Sequence, residues 1–514
     1  MLAFRLLGLA GVLIFTSCTT LVMEEITIGE IHARFRSGDL TSRQLVQAYF
    51  DRIALHDAPR DLNAYVVLNP RALERASELD AEFARTGELR ALHGIPVVIK
   101  DNCDTHDLQT TAGCLALAGS LPPDDCFLVA RIREAGGVVL GKSNMDEWAF
   151  SPHKTVSSIL GITRNPYDLS RVPAGSSGGT AAAVSANLAV VGIGTDTGNS
   201  IRGPSAHCAL VGIRPTIGLT SRDGIVPLSL SADVAGPMSR TVEDAARLLG
   251  VIAGYDPADP ATLAMKDREV PDYTQFLKTE GLRGARIGVL RTKFSSPTTD
   301  EEVIDVMEQA IADLERLGAT VVDNFELPAR RSAGGRGRRG GGNNSGFRAG
   351  VDLYLASLGP DAPAHSLSEI VESGDFHPSL AERLSRSVQG PPPDLSQVQL
   401  SGVDGDPARE AFRDDLVAAM DELDLDAIIY PTWSNIPRLI GDMESPHGDN
   451  SQSPAPRAGM PALTVPMGYT RTGLPAGLQM LGRPFDEGRL IELAYSYEQG
   501  TDHRRPPPGF GDSR

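Results

Sequence analysis

The chain has 514 residues, of which 41% are hydrophobic and 22% charged, a composition that excludes a disordered or membrane-embedded polypeptide and provides for a sizeable core. A net charge of −18 argues against nucleic-acid binding, because neutralising phosphates requires a basic surface. Length leaves the domain count open, since large α/β enzymes often form one continuous unit.

The N-terminus, MLAFRLLGLAGVLIFTSC, carries one cation, Arg5, followed by an apolar run from Leu6 to Phe15. That run is too short to span a bilayer as a permanent helix, so residues 1–18 are expected to be an export signal. Thr16 and Ser17 before Cys18 resemble a lipoprotein processing site, which makes Cys18 a candidate for lipidation and membrane attachment. Plain secretion and a misplaced start are the alternatives. The expected location is outside the cytosol in either exported form. Cys103, Cys114, Cys126 and Cys208 form no C-x-x-C pair, so no zinc site is expected, and their disulfide pairing stays open.

Residues 41–44, TSRQ, have the form of a capping box and open an amphipathic helix through LVQAYFDRIALHD. A second helix is expected after Pro70, in RALERASELDAEFART. From there β-like runs alternate with helical ones: IPVVIK, FLVARIREAGG, GVVLG, GTAAAVSANLAVVGIGT, VEDAARLLGVIAG, ARIGVLR, EEVIDVMEQAIADLERLGATVVD, LDAIIYP, ALTVPMG and GLQMLG. Continuous apolar strands interleaved with helices predict an α/β fold. The expected form is a single large α/β/α domain whose twisted mixed, mainly parallel sheet is covered by helices on both faces. Residues 330–346, RRSAGGRGRRGGGNNSG, break this pattern; they cannot bury apolar surface and read as a flexible low-complexity insertion or a local change of reading frame.

Lys100 closes the apolar run IPVVIK. A lysine there can simply snorkel to solvent. Two serine-bearing turns downstream favour chemistry instead: AGSSGGTAAA at 174–183 and GIGTDTGNSIRGP at 192–204. A glycine-serine run is commonly a linker, yet this one leads straight into an alanine-rich helix, which no linker requires. A serine hydroxyl becomes nucleophilic once its proton is removed, and a lysine removes it only when neutral. Burial disfavours the charged amine, and the approach IPVVI supplies that burial. Small residues around Ser176 and Ser200 allow sharp turns with exposed amide N–H groups, the donors of an oxyanion hole. The ten histidines show no spacing such as H-E-x-x-H, so neither metal nor cofactor is expected.

GIPVVIKDN, AGSSGGTAAAV, GIGTDTGNSIRGPSAHCALVGIRPT, PALTVPMG and GLPAGLQMLGRPFDE together resemble the successive hallmarks of the amidase signature family, in that family's order. The resemblance implies an amidase signature domain over residues 25–505 and a Ser-cisSer-Lys triad. In it Ser200 is the nucleophile, Lys100 the base, and Ser176 a relay serine preceded by a cis peptide bond that Gly175 eases. Backbone amides of Thr197, Gly198, Asn199 and Ser200 would form the oxyanion hole. Asp196 and Arg202 would brace that loop, Ser177 would support the relay, and Asp101 and Asn102 would fix the segment bearing Lys100. Asn199 stands where the family usually has glycine; asparagine is expected to tolerate a left-handed turn there, with a narrowed acyl site or impaired activity as the alternatives. The implied activity is hydrolysis of a carboxamide through an acyl-enzyme, without cofactor or obligate protein partner. Within the family the likeness is to members that remove the amide from the C-terminus of peptides, with small amides also open. An A-type component of glutamyl-tRNA amidotransferase and a catalytically silent binding protein are the alternatives.

Overall fold

The computed structural model describes residues 24–323, 325–328, 344–398 and 402–511. The expected export signal with Cys18 and most of the glycine-rich segment lie outside the described residues. Positions 344–346, expected as part of that segment, instead open a helix, Asn344–Ser357.

Eleven strands form one sheet: β1 (Tyr65–Leu68), β2 (Pro96–Lys100), β3 (Val138–Ser143), β4 (Val191–Asp196), β5 (Val211–Arg214), β6 (Val234–Ser239), β7 (Arg286–Val289), β8 (Thr320–Val322), β9 (Ala427–Pro431), β10 (Ala462–Tyr469) and β11 (Pro475–Leu481). Their spatial order is β1-β3-β2-β4-β6-β5-β10-β11-β9-β7-β8. Every residue of β2, β3 and β4 is buried. Side chains alternate between the faces of a strand, so complete burial means that both faces are covered. Each fully buried valine or isoleucine of β2 contributes on the order of 1.5–3 kcal/mol. A mixed, doubly covered sheet is the expected α/β architecture, but its parallel share is smaller than expected. Among the described strands, β2 pairs in parallel with β3 and β4, and β7 with β8 and β9. The other six pairings of this sheet are antiparallel. Continuous apolar runs report burial on two faces and carry no information on strand direction.

The helices follow local signals. Thr41 and Gln44 form the expected capping box at the start of the helix Ser42–His56, and Thr27 and Glu30 do the same for Ile28–Ser37. The helix Gly178–Ser185, buried along its whole length, packs against β2, β4 and β6. A smaller apolar cluster under the helix Asn344–Ser357 includes Ala112, Met145, Trp148 and Val226. None of the described helices is long and apolar enough to cross a membrane. Cys103, Cys114, Cys126 and Cys208 are all buried free thiols.

Candidate active site

Strands β2 and β4 run in parallel with Ile99 opposite Ile193, so their C-terminal ends open side by side. This is where ligands collect in open α/β sheets. Lys100 ends β2, and its Nζ lies 2.7 Å from Ser176 Oγ and 2.8 Å from Thr195 Oγ1. The amine is fully buried, and that burial pulls its pKa down to about 7. Asn102 Nδ2 donates to Thr195 Oγ1 at 3.1 Å, holding from the other side the hydroxyl that faces the lysine. Asp101 turns away: its carboxylate accepts from Thr111 and from Gly113 N at 3.4 Å, and its backbone N–H donates to Ser143 O at 3.2 Å. It therefore anchors the backbone just beyond Lys100.

The peptide bond between Gly175 and Ser176 is cis. Gly175 N donates to Pro152 O at 2.8 Å, and a Cβ at Gly175 would stand 2.0 Å from Lys154 O, so only glycine fits beneath the segment 151–155. Ser176 O accepts from Asp146 N at 3.0 Å. Ser177 joins the turns: its N–H donates to Ser200 O at 3.2 Å and its hydroxyl to Thr195 O at 3.2 Å. Ser200 is 4% exposed, and its hydroxyl has no hydrogen-bond partner among the described residues.

The loop between Asp196 and Ser200 hangs on buried charge. Arg202 Nε donates to Asp196 Oδ2 at 3.1 Å, and Arg214 Nη1 donates to Oδ1 at 2.9 Å. Burial pushes the Asp196 carboxyl up, but the two guanidinium groups outweigh it and hold the pKa at about 2. Arg202 also donates to Gly198 O at 2.7 Å and to Gln479 Oε1 at 2.6 Å, while Thr197 Oγ1 donates to Asp233 Oδ1 at 2.5 Å. None of the four backbone N–H groups from Thr197 to Ser200 donates to another described residue. Neither Gly198 nor Asn199 has a positive φ, so the expected need for left-handed tolerance at Asn199 does not arise. A narrow cleft adjoins this loop, lined by Asn102, Ala149, Thr195, Thr197, Val226 and Asp233 among others.

Asp196 permits a direct test. Asp196→Asn leaves two buried guanidinium groups without their counter-charge, and breaking a buried pair costs about 3–5 kcal/mol. Urea denaturation should show a loss of that size; a loss below about 1 kcal/mol would mean that the pair contributes no more than an exposed one.

The structure thus gathers Lys100, Asn102, Gly175, Ser176, Ser177, Asp196, Thr197, Gly198, Asn199, Ser200 and Arg202 around one corner, with Asp101 behind it. Sequence reasoning missed Thr195, Arg214 and Gln479. Thr195 was within reach, since it lies one residue before the end of a strand parallel to the one bearing Lys100; Gln479, 277 positions from Arg202, carries no local signal. The described residues include one group suited to a metal ion, His106, Asp107 and Asp125, none of them among the residues of this corner. There Arg133 pairs with Asp107 at 2.6 Å and Asp125 at 3.0 Å, which already balances both carboxylates.

A family model described as Amidase matches residues 44–334 and 378–491. The chain is similar to the native peptide amidase from Stenotrophomonas maltophilia, with 41% sequence identity, TM-score 0.79, and coverage of 95% of this chain and 99% of that one. It is 36% identical to a probable amidase of Arabidopsis thaliana, over 95% of this chain and 92% of the relative. It is also 36% identical to the A-type component of the glutamyl-tRNA(Gln) amidotransferase of Syntrophus aciditrophicus, over 94% of this chain and 99% of the relative.

Proposed function

The chain belongs to the amidase family, a hydrolase of C–N amide bonds, and from that premise we propose that it cleaves peptide C-terminal amides or small carboxamides by way of Lys100, Ser176 and Ser200. The observation that carries this reading is the 2.7 Å contact between a fully buried lysine and the hydroxyl of Ser176, whose neighbour Ser177 donates its N–H to Ser200 O at 3.2 Å. A neutral Lys100 accepts the proton of Ser176, which takes that of Ser200 as Ser200 Oγ bonds to the carbonyl carbon. The N–H groups of Thr197 to Ser200, unclaimed by other described residues, stabilise the oxyanion. When the C–N bond breaks, Ser176 protonates the departing nitrogen and recovers its proton from Lys100. Water then repeats the sequence on the ester and releases the acid. A Ser200 hydroxyl without a partner among the described residues is compatible with this path, because catalytic hydrogen bonds often tighten only around substrate.

The test is a panel of peptide amides, acyl amides, aryl amides and glutamine, assayed for ammonia or amine release with Ser200→Ala as the blank. Release from peptide amides supports the reading, and release from none of the panel sinks it. The likeness to A-type amidotransferase components favours one second reading, which glutamine as the only substrate used would select. Run across pH, the same assay probes the base. With Lys100 near pH 7, kcat/KM should climb about tenfold per unit below that value and level off above it. A rate that falls as pH rises through 7 contradicts a neutral-lysine base.

A further inference from the structure

Asn199 precedes Ser200, and its side chain is fully buried with neither Oδ1 nor Nδ2 hydrogen-bonded to any described residue. Buried polar groups are almost always paired, and leaving both ends of a carboxamide unpaired is costly at a position whose backbone makes no special demand. The carboxamide leans over Gly203: a Cβ built there would lie 2.6 Å from Asn199 Nδ2 and 3.0 Å from Trp433 Cζ3, so amide and indole both pack against Gly203. Trp433 packs in turn on His207 and His153, with ring centroids 4.7 and 5.7 Å away. Burial pulls both imidazoles down to about 4, which leaves them uncharged at neutral pH. The Nδ1 atoms of both are also unpaired among the described residues. His153 belongs to the segment that closes over Gly175, so this cluster adjoins the turn that bears Ser176.

A carboxamide presents one donor and one acceptor along a single edge, which matches the N–H and C=O of a peptide group. An ammonium on the acyl side would face Nδ2 with more donors, and a carboxylate would face Oδ1 with more acceptors. We propose that Asn199 is a specificity-determining residue whose carboxamide pairs with an uncharged peptide group on the acyl side of the substrate. Nδ2 donates to the peptide carbonyl and Oδ1 accepts from its N–H. This rests on the reading of Ser200, the residue that follows Asn199 in the chain, as an amidase nucleophile.

The experiment compares kcat/KM for three leucine-shaped amides: N-acetyl-leucinamide, leucinamide with its free ammonium, and 4-methylpentanamide, which lacks the α-nitrogen. The natural chain should favour the acetylated amide at least tenfold over each of the others. Asn199→Ala and Asn199→Gly should each shrink that ratio tenfold or more, whatever happens to absolute rates, with thermal melts run to verify folding. Ratios that stay within twofold in the variants overturn the proposal. So does a natural chain that cleaves these amides without preference, which leaves the amidase reading standing; a chain that cleaves no amide overturns both.

Discussion

Replacing Ser200 by alanine should lower kcat for amide hydrolysis on the order of 10⁶-fold, the scale at which removing the nucleophile of a serine triad abolishes covalent catalysis. The fold should be untouched, because the Ser200 hydroxyl makes no hydrogen bond to any described residue, whereas its backbone carbonyl, which ties it to Ser177, survives the substitution. Ser176 is poorly placed to substitute, since its hydroxyl is already engaged with Lys100 at 2.7 Å. What remains is the row of N–H groups and the cleft, which can still bind and polarise an amide. The variant should therefore bind a substrate amide with an affinity near that of the natural chain while turning it over negligibly. Stopped-time product assays and binding isotherms measure the two quantities. Activity within a hundredfold of the natural chain would remove Ser200 from the mechanism; weakened binding together with lost turnover would make it a structural residue.

How much of this was legible in the sequence depends on the range of the interactions involved. Strand β2 was readable because Val97, Val98 and Ile99 are β-branched and the strand is wholly buried, and its terminal lysine stood out against that run. The helix Ile28–Ser37 carries the same local signal as the one at Thr41, Thr27 followed by Glu30, and could have been read in the same way. Strand β6 could not. Its sequence VAGPMS contains glycine and proline, which argue against a central strand, yet it lies between β4 and β5. The structure accommodates Pro237 because pairing with β5 involves only Met238 and Ser239, which leaves the proline outside that ladder. Strand direction was illegible for a related reason, since burial of both faces is common to both directions. At the site, the residues on the two turns were visible as motifs, whereas Arg214, held against Asp196 by a third strand, depends on tertiary packing alone.

Replacing Lys100 by methionine should reduce kcat to within about tenfold of the Ser200→Ala level, and the double variant should be no worse than either, because groups that act as one unit are not additive. Arginine in its place should fail as well, since a guanidinium stays protonated at any working pH. The more diagnostic consequence needs no substrate. The Lys100 pKa is pulled from 10.5 to about 7 by burial, so between those values the unfolded chain carries a proton that the folded chain has shed. Stability then rises with pH through that window, by about 1.4 kcal/mol per unit, and is fully gained only above the unfolded value. Methionine fills a similar volume without titrating, so the difference in unfolding free energy between the natural chain and Lys100→Met should change by roughly that slope between pH 7.5 and 9.5. Denaturant titrations at several pH values measure it. A difference that stays flat would mean that the amine is charged in the folded protein, and a charged amine cannot take the proton from Ser176.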